Sequence, residues 1–302
     1  MIQIFNLICF YLGFFILLIY IIKIVNWIYK YFILKFNITE LKEKYGNGWV
    51  IITGASSGIG FSFSEEFVKN NYKVLLISSN EQKLIKAKNE LEKKYPNYNL
   101  IEYLPFDLSI DLTNQNNYDD LDKKISEKIK GEEISILFNN AGVITRKIFH
   151  NLNNEEIKNM LNVNVISVVY LTKIIINKML KKTKKSLVIG SGSVMGRMRI
   201  KTRSIYASTK SFLESFNETL SSEYKNKIDF TTLEIGSTAS SMVNFNLPFM
   251  IDSKSLSESS MKFLGKYNFT TGHIKHEMMR ILFWKIPFVK YFIRNSKKQY
   301  DH

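Results

Sequence analysis

Tyr206 and Lys210 stand four residues apart in YASTK, and together they could move a proton. A free phenol titrates at about 10, too high for ready exchange at neutral pH, so it needs a nearby cation. On a helix, positions i and i+4 share one face, which sets the lysine a single turn from the tyrosine. Standing alone, such a pair reads better as an exposed surface contact. A second chemical feature lies upstream, where residues 53–60 read TGASSGIG. Glycines in a turn between strand and helix let the backbone approach a pyrophosphate. The helix beyond offers free N–H groups and the positive end of its dipole.

These residues need a scaffold, and the flanking pattern predicts one. Apolar runs occur at 49–53, 73–78, 100–106, 134–139, 186–189 and 230–235. Amphipathic stretches near 58–70, 80–95, 114–130, 154–180 and 206–225 separate them. Short buried strands alternating with helices predict an α/β fold, a doubly wound parallel sheet of Rossmann type. Residues 31–46 read as a connector, 47–245 as the dinucleotide-binding domain, and 246–302 as a separate C-terminal excursion.

The ends of the chain are of another kind. Residues 1–22 carry no charged side chain, and the first charge is Lys23. About 20 apolar residues cover the roughly 30 Å hydrocarbon layer of a bilayer. The stretch lacks the basic n-region and small-residue cleavage site of a signal peptide. Residues 1–30 therefore read as a single-pass transmembrane helix. Lys23, Lys30 and Lys35 follow the apolar run, which puts the rest of the chain in the cytosol. Residues 278–294, apolar, aromatic and basic, suit a segment lying on the membrane interface.

Composition narrows the function classes. Of 302 residues, 45% are hydrophobic, which excludes a disordered chain. A lone Cys9 excludes a disulfide scaffold, and the four histidines show no paired-ligand spacing, so no metal is expected. The net charge of +15 comes mainly from lysine, 36 of the 42 cations, as expected of a compositional background. No nucleic-acid recognition motif accompanies it.

TGASSGIG, Asn139-Asn140-Ala141-Gly142 and Tyr206-x-x-x-Lys210, in that order and at those separations, resemble the short-chain dehydrogenase/reductase family. The resemblance covers about 47–245. It implies a Rossmann-type domain and hydride transfer from a nicotinamide cofactor. It further implies that Tyr206 is the proton donor, with Lys210 lowering its pKa and holding the nicotinamide ribose. Ser193, rather than Ser191, matches the catalytic serine that hydrogen-bonds the substrate oxygen. Asn164, rather than Asn162, matches the asparagine that completes the tetrad.

For the cofactor, the resemblance implies contacts from Thr53, Gly54, Ser56, Ser57, Gly58, Ile59 and Gly60, and from Ser79, Asp107, Asn139, Ala141, Gly142, Tyr206, Lys210 and Gly236. The second strand ends in Ser78-Ser79-Asn80 with no carboxylate to bind a ribose 2′-hydroxyl, which favours NADPH over NADH. Where the family has Pro-Gly and a threonine after the sixth strand, this chain has Ile235-Gly236, then Ser237, Thr238 and Ser240.

SGSVMG, YASTKSFLESFNETLSSEYKNK and TGHIKH are similar to microsomal very-long-chain 3-oxoacyl-CoA reductases and their 17β-hydroxysteroid dehydrogenase relatives. The short gap from Gly142 to Asn164 is closer to 3-ketodihydrosphingosine reductase. The expected substrate is thus a lipid-like carbonyl, acyl-CoA first. The expected location is the endoplasmic reticulum membrane, with a second copy or elongation-complex proteins as candidate partners. Arg197, Arg199, Lys201 and Arg203, between the serine and the tyrosine, are expected either to attract CoA phosphates or anionic headgroups, or to form a solvated basic loop.

Overall fold

The computed structural model describes residues 2–96, 98, 100–198, 200–239 and 249–285. The chain divides into two compact units, Met1–Phe36 and Asn37–His302. The first is helix α1 (Ile2–Ile28), which continues into one π turn, Tyr29–Ile33. Its large apolar side chains, Phe5, Phe10 and Phe15 among them, are exposed all round the helix. It is long and apolar enough to cross a membrane.

The second unit is a seven-stranded sheet, parallel at every pairing. Its strands are β1 (Trp49–Thr53), β2 (Lys73–Ser78), β3 (Ile101–Pro105), β4 (Ile134–Asn139), β5 (Ser186–Ser193), β6 (Ile228–Ile235) and, at the edge, β9 (Phe269–Thr270). The order β3-β2-β1-β4-β5-β6-β9 reverses direction between β1 and β4. In open sheets of this kind the ligand crevice lies beyond the strand C-termini at that reversal. Strands buried on both faces need continuous apolar runs, and all five residues of β1 and all six of β4 are buried. Thr238–Ala239 (β7) and Ile251–Asp252 (β8) form a separate two-stranded ladder.

Helices cover the sheet: α2 (Ile38–Tyr45), α3 (Gly58–Lys69), α4 (Glu81–Lys94), α5 (Gln115–Lys128), α6 (Asn154–Leu161), α7 (Ser167–Met179), α8 (Val194–Met198), α9 (Ser204–Glu223), α10 (Ser253–Ser260) and α11 (Ile274–Lys285). Asparagines start several of them. Asn80 and Asn114 cap α4 and α5, and Asn153 with Glu156 forms a capping box on α6.

Three features depart from the sequence pattern. The amphipathic stretch 154–180 is two helices joined by a π turn, Asn162–Ile166. Strand β5 runs four residues beyond 186–189, because GSGS pairs with β6 out to Ser193↔Ile235. A Cβ on Gly190 would sit 2.3 Å from Asn217 Nδ2, so this glycine serves close packing of α9 and makes no turn. The C-terminal excursion contributes β9 to the main sheet.

Part of the connector is folded. Tyr45 of α2 is fully buried and donates its hydroxyl to Asp229 at 2.7 Å. Its carbonyl accepts from Ser135 Oγ at 2.7 Å and Lys182 Nζ at 2.9 Å. All these partners lie at or near strand starts, opposite the crevice.

Candidate active site

The turn after β1 is built to hold an anion. Gly54 (φ 63°) and Gly58 (φ 58°) adopt left-handed backbone that side chains resist. A Cβ on Gly60 would lie 2.4 Å from the Gly54 carbonyl oxygen, so α3 can start tight against the turn only without one. The Thr53 hydroxyl accepts from the amides of both Asn140 and Ala141 at 3.0 Å. Asn140 Nδ2 returns a bond to the Thr53 carbonyl at 2.9 Å. Hence the ends of β1 and β4 are stitched together, and the first amides of the twelve-residue α3 face the crevice. This cradle fits a dinucleotide pyrophosphate.

The four tetrad residues converge on the same crevice from three elements. Ser193 is the last residue of β5, and its Oγ accepts from the Met195 amide at 3.2 Å. Tyr206, in the first turn of α9, is hydrogen-bonded to the Ser193 hydroxyl. Burial pushes the phenol above its ordinary value, opposed by that bond and by the positive charges of Arg146 and Arg203. Lys210, one turn on, is buried, and its Nζ donates to the Ser191 carbonyl at 2.7 Å. Burial brings its ammonium down to about 8. The Lys210 Nζ stands 5.8 Å from the centre of the Tyr206 ring.

Asn164 comes from the π turn, a distortion that recurs at functional sites. Its side chain bonds both the amide (2.8 Å) and the carbonyl (2.9 Å) of Val143, and donates to Thr209 Oγ1 at 3.1 Å. It therefore clamps the loop after β4 against α9. A Cβ on Gly142 would lie 3.4 Å from both Asn164 Oδ1 and Lys210 Nζ. Asn162 turns elsewhere, to the Ser109 carbonyl at 2.6 Å.

A cavity of about 300 Å³ joins these parts. Gly54, Ser56, Ser57, Gly58, Ile59, Ala141, Gly142, Ser193, Tyr206, Lys210 and Gly236 line it, as the motifs predict. Thr53, Gly60 and Asn164 stand behind its wall and shape it through the contacts above.

Three expected cofactor contacts do not reach it. Asn139 is buried between β4 and α7, donating to Thr172 Oγ1 at 2.8 Å, and its neighbour Asn140 takes the lining position. Asp107 is tied into its own turn, accepting from the Ser109 amide at 2.9 Å and hydroxyl at 2.8 Å. Ser79 points to solvent, while Ser78 lines the cavity and meets Ser56 Oγ at 3.0 Å.

Sequence reasoning missed Arg146 and Met279, which also line the cavity. Arg146 lies four residues after NNAG, a spacing that could have drawn attention. Met279 arrives from α11, and no motif marks it. Of the basic loop, Arg197 is bound by carboxylates: it pairs with Glu214 and, at 3.3 Å, with buried Glu234. Its expected role towards an anionic substrate is therefore corrected, since its charge is already met inside the domain. Arg203 is buried, Lys201 is exposed, and Arg199 lies outside the described residues. Ser240 and residues 286–294 of the proposed interfacial segment also lie outside them.

Comparisons with known proteins agree with this geometry. The family profile of the short chain dehydrogenases matches residues 48–248. The human very-long-chain 3-oxoacyl-CoA reductase is 28% identical over 247 residues, 79% of this chain and 75% of that one. A Caenorhabditis elegans protein provisionally named steroid dehydrogenase 4 is 28% identical over 258 residues, 82% of this chain and 95% of that one. Among solved structures, a 7β-hydroxysteroid dehydrogenase superposes with a TM-score of 0.72 at 19% identity, covering 85% of this chain and 99% of its own. The chain thus belongs to the short-chain dehydrogenase family, as an oxidoreductase that uses a nicotinamide dinucleotide to interconvert an alcohol and a carbonyl.

Proposed function

We propose that this protein reduces the ketone of a 3-oxoacyl-CoA to a 3-hydroxyacyl-CoA with NADPH, at the endoplasmic reticulum membrane, as a step of fatty-acid elongation. The observation that carries this reading is the 28% identity to the human reductase of that name, over 79% of this chain. A bound NADPH supplies the hydride. The turn 54–59 and the start of α3 hold its phosphates. The Ser193 hydroxyl, oriented by the Met195 amide, donates to the substrate oxygen as negative charge develops there. The Tyr206 hydroxyl gives that oxygen its proton, and the Lys210 ammonium sustains a positive field beside it. Asn164 holds the loop that carries Gly142 and Val143 in place.

NADPH is favoured over NADH because the end of β2 presents Ser78, Ser79 and Asn80 and no carboxylate. Residues 1–30 serve as a single-pass anchor, with the catalytic domain 47–245 on the cytosolic side and 31–46 connecting the two. Residues 246–302 act as a lid, a role supported by Met279 in the cavity wall. A steroid substrate is the second reading, favoured by the similarity to the Caenorhabditis elegans protein, with 3-ketodihydrosphingosine favoured by the short gap from Gly142 to Asn164.

The test is full-length enzyme in detergent with NADPH, offered 3-oxoacyl-CoA, 3-ketodihydrosphingosine and a 17-ketosteroid. Preferential turnover of the acyl-CoA is expected, and preference for either other ketone overturns the assignment. Tyr206→Phe is expected to lower reduction by about 10³-fold. Cells that keep full function with this variant would point to a non-catalytic scaffold.

A further inference from the structure

The wall of the cavity after β6 is held from outside by an imidazole. His276, on the first turn of α11, is fully buried. The Gly236 amide donates to its Nδ1 at 3.2 Å, and its Nε2 stands 3.1 Å from the Ser237 carbonyl oxygen. Together these contacts fix the tautomer. Nδ1 must be the acceptor, so Nε2 carries the hydrogen and donates to Ser237. Burial, which drives the ring down to about 4, keeps it in this neutral form.

The fit leaves no slack. A Cβ on Gly236 would lie 2.6 Å from His276 Cδ2 and 2.9 Å from Cγ. Gly236 is therefore glycine because the ring fills the space a side chain would need. The same helix touches the wall again three residues on, where Met279 Sδ receives the Ser237 hydroxyl at 3.9 Å. Met279 itself lines the cavity with Gly236, Ser237 and Thr238. Residues 236–238, which follow the last residue of β6, contain no proline to fix φ. Two hydrogen bonds between the ring and residues 236–237 constrain them.

We infer that His276 is a positioning residue, whose imidazole sets the backbone of residues 236–238 in the shape that receives the dinucleotide. The inference rests on that cavity being the cofactor site. His276 need touch neither cofactor nor substrate, since it acts through the loop. This gives α11, whose first turn carries the end of TGHIKH, a direct share in cofactor affinity.

The experiment uses full-length protein in detergent, with NADPH binding followed by nicotinamide fluorescence and amide hydrogen exchange followed without cofactor. His276→Ala is expected to weaken NADPH binding about tenfold, the loss of one to two hydrogen-bond equivalents, and to speed exchange in the peptide spanning 235–239. His276→Asn, which can still accept from the Gly236 amide, is expected to recover most of the affinity. Gly236→Ala is expected to weaken binding through the clash, and adding His276→Ala to it should restore part of the loss. That compensation is measurable even where His276→Ala alone folds poorly. Binding unchanged within twofold in His276→Ala, or no relief in the double variant, overturns the inference. Wild-type protein that binds neither NADPH nor NADH would instead overturn the assignment of the cavity, and this inference with it.

Discussion

The Lys210 ammonium donates to the Ser191 carbonyl at 2.7 Å, while Ser193, two residues further along the same strand, hydrogen-bonds the Tyr206 hydroxyl. One strand end thus sets both groups that handle the proton. The expected consequence is a pH profile. Lys210, brought down by burial to about 8, is charged below that pH and neutral above it. Ketone reduction, measured as initial rate at saturating NADPH, should hold level to about pH 7 and fall as pH rises through 8. A rate still level at pH 10 would restore Lys210 to its ordinary range.

The same burial makes Lys210 costly to the fold. Its folded pKa lies below the unfolded 10.5, so the native state disfavours the proton. The penalty is complete below pH 8, on the order of 3 kcal/mol at most, and fades as pH rises from 8 to 10.5. Lys210→Met should therefore lose at least about a hundredfold in reduction while its melting temperature at pH 7 is no lower than wild type. The difference in stability should narrow towards pH 10.5.

Arg146 bears on Tyr206 from across the cavity. Its charge helps hold the phenol down, so Arg146→Gln should raise the Tyr206 pKa. The reverse reaction needs the phenolate, and its rate profile should shift to higher pH. An unmoved profile would leave Arg203 and Ser193 as the groups that matter.

Gly60→Ala tests the anion cradle. The new methyl would meet the Gly54 carbonyl at 2.4 Å, and backbone cannot yield as a side-chain tip can. A loss of about 1–3 kcal/mol in urea unfolding is expected, with NADPH affinity reduced more than in Gly131→Ala. Gly131 is the control because a Cβ there meets nothing within 4 Å, although its own φ of 69° adds local strain.

Truncation separates tether from fold. A chain starting at Asn37 keeps α2 and should melt near the temperature of the full domain. Starting at Gly46 removes the buried Tyr45 and its bond to Asp229, which should cost about 3–5 kcal/mol. Equal stability of the two truncations would reduce α2 to a passive linker.

The parallel sheet was legible because strands buried on both faces must be mostly apolar, as 49–53 and 134–139 are. TGASSGIG and YxxxK were legible because phosphate approach and proton transfer each demand particular residues at fixed spacing. Asn139 and Asn140 show where this fails: β4 ends between them, neighbouring residues there point to opposite sides, and the letters alone do not say which side faces the cavity. His276 closes TGHIKH, yet its role, like that of Met279, was hidden for another reason. Their roles depend on where a helix far along the chain packs, which no local pattern encodes. Arg197 looked available for a ligand because its partners Glu214 and Glu234 are remote in sequence.

The Thr53 hydroxyl takes two amides from the loop after β4, so the phosphate turn and that loop form a single mechanical part. Arg146 lies at the far end of the loop, in the wall of the same cavity. A dinucleotide seated on the turn therefore stiffens the segment that meets the substrate, and by reciprocity a bound substrate strengthens the hold on the dinucleotide. In binding terms the two ligands are expected to reinforce each other, and Thr53→Val should weaken that coupling, read as a smaller gain in dinucleotide affinity when the ketone is present.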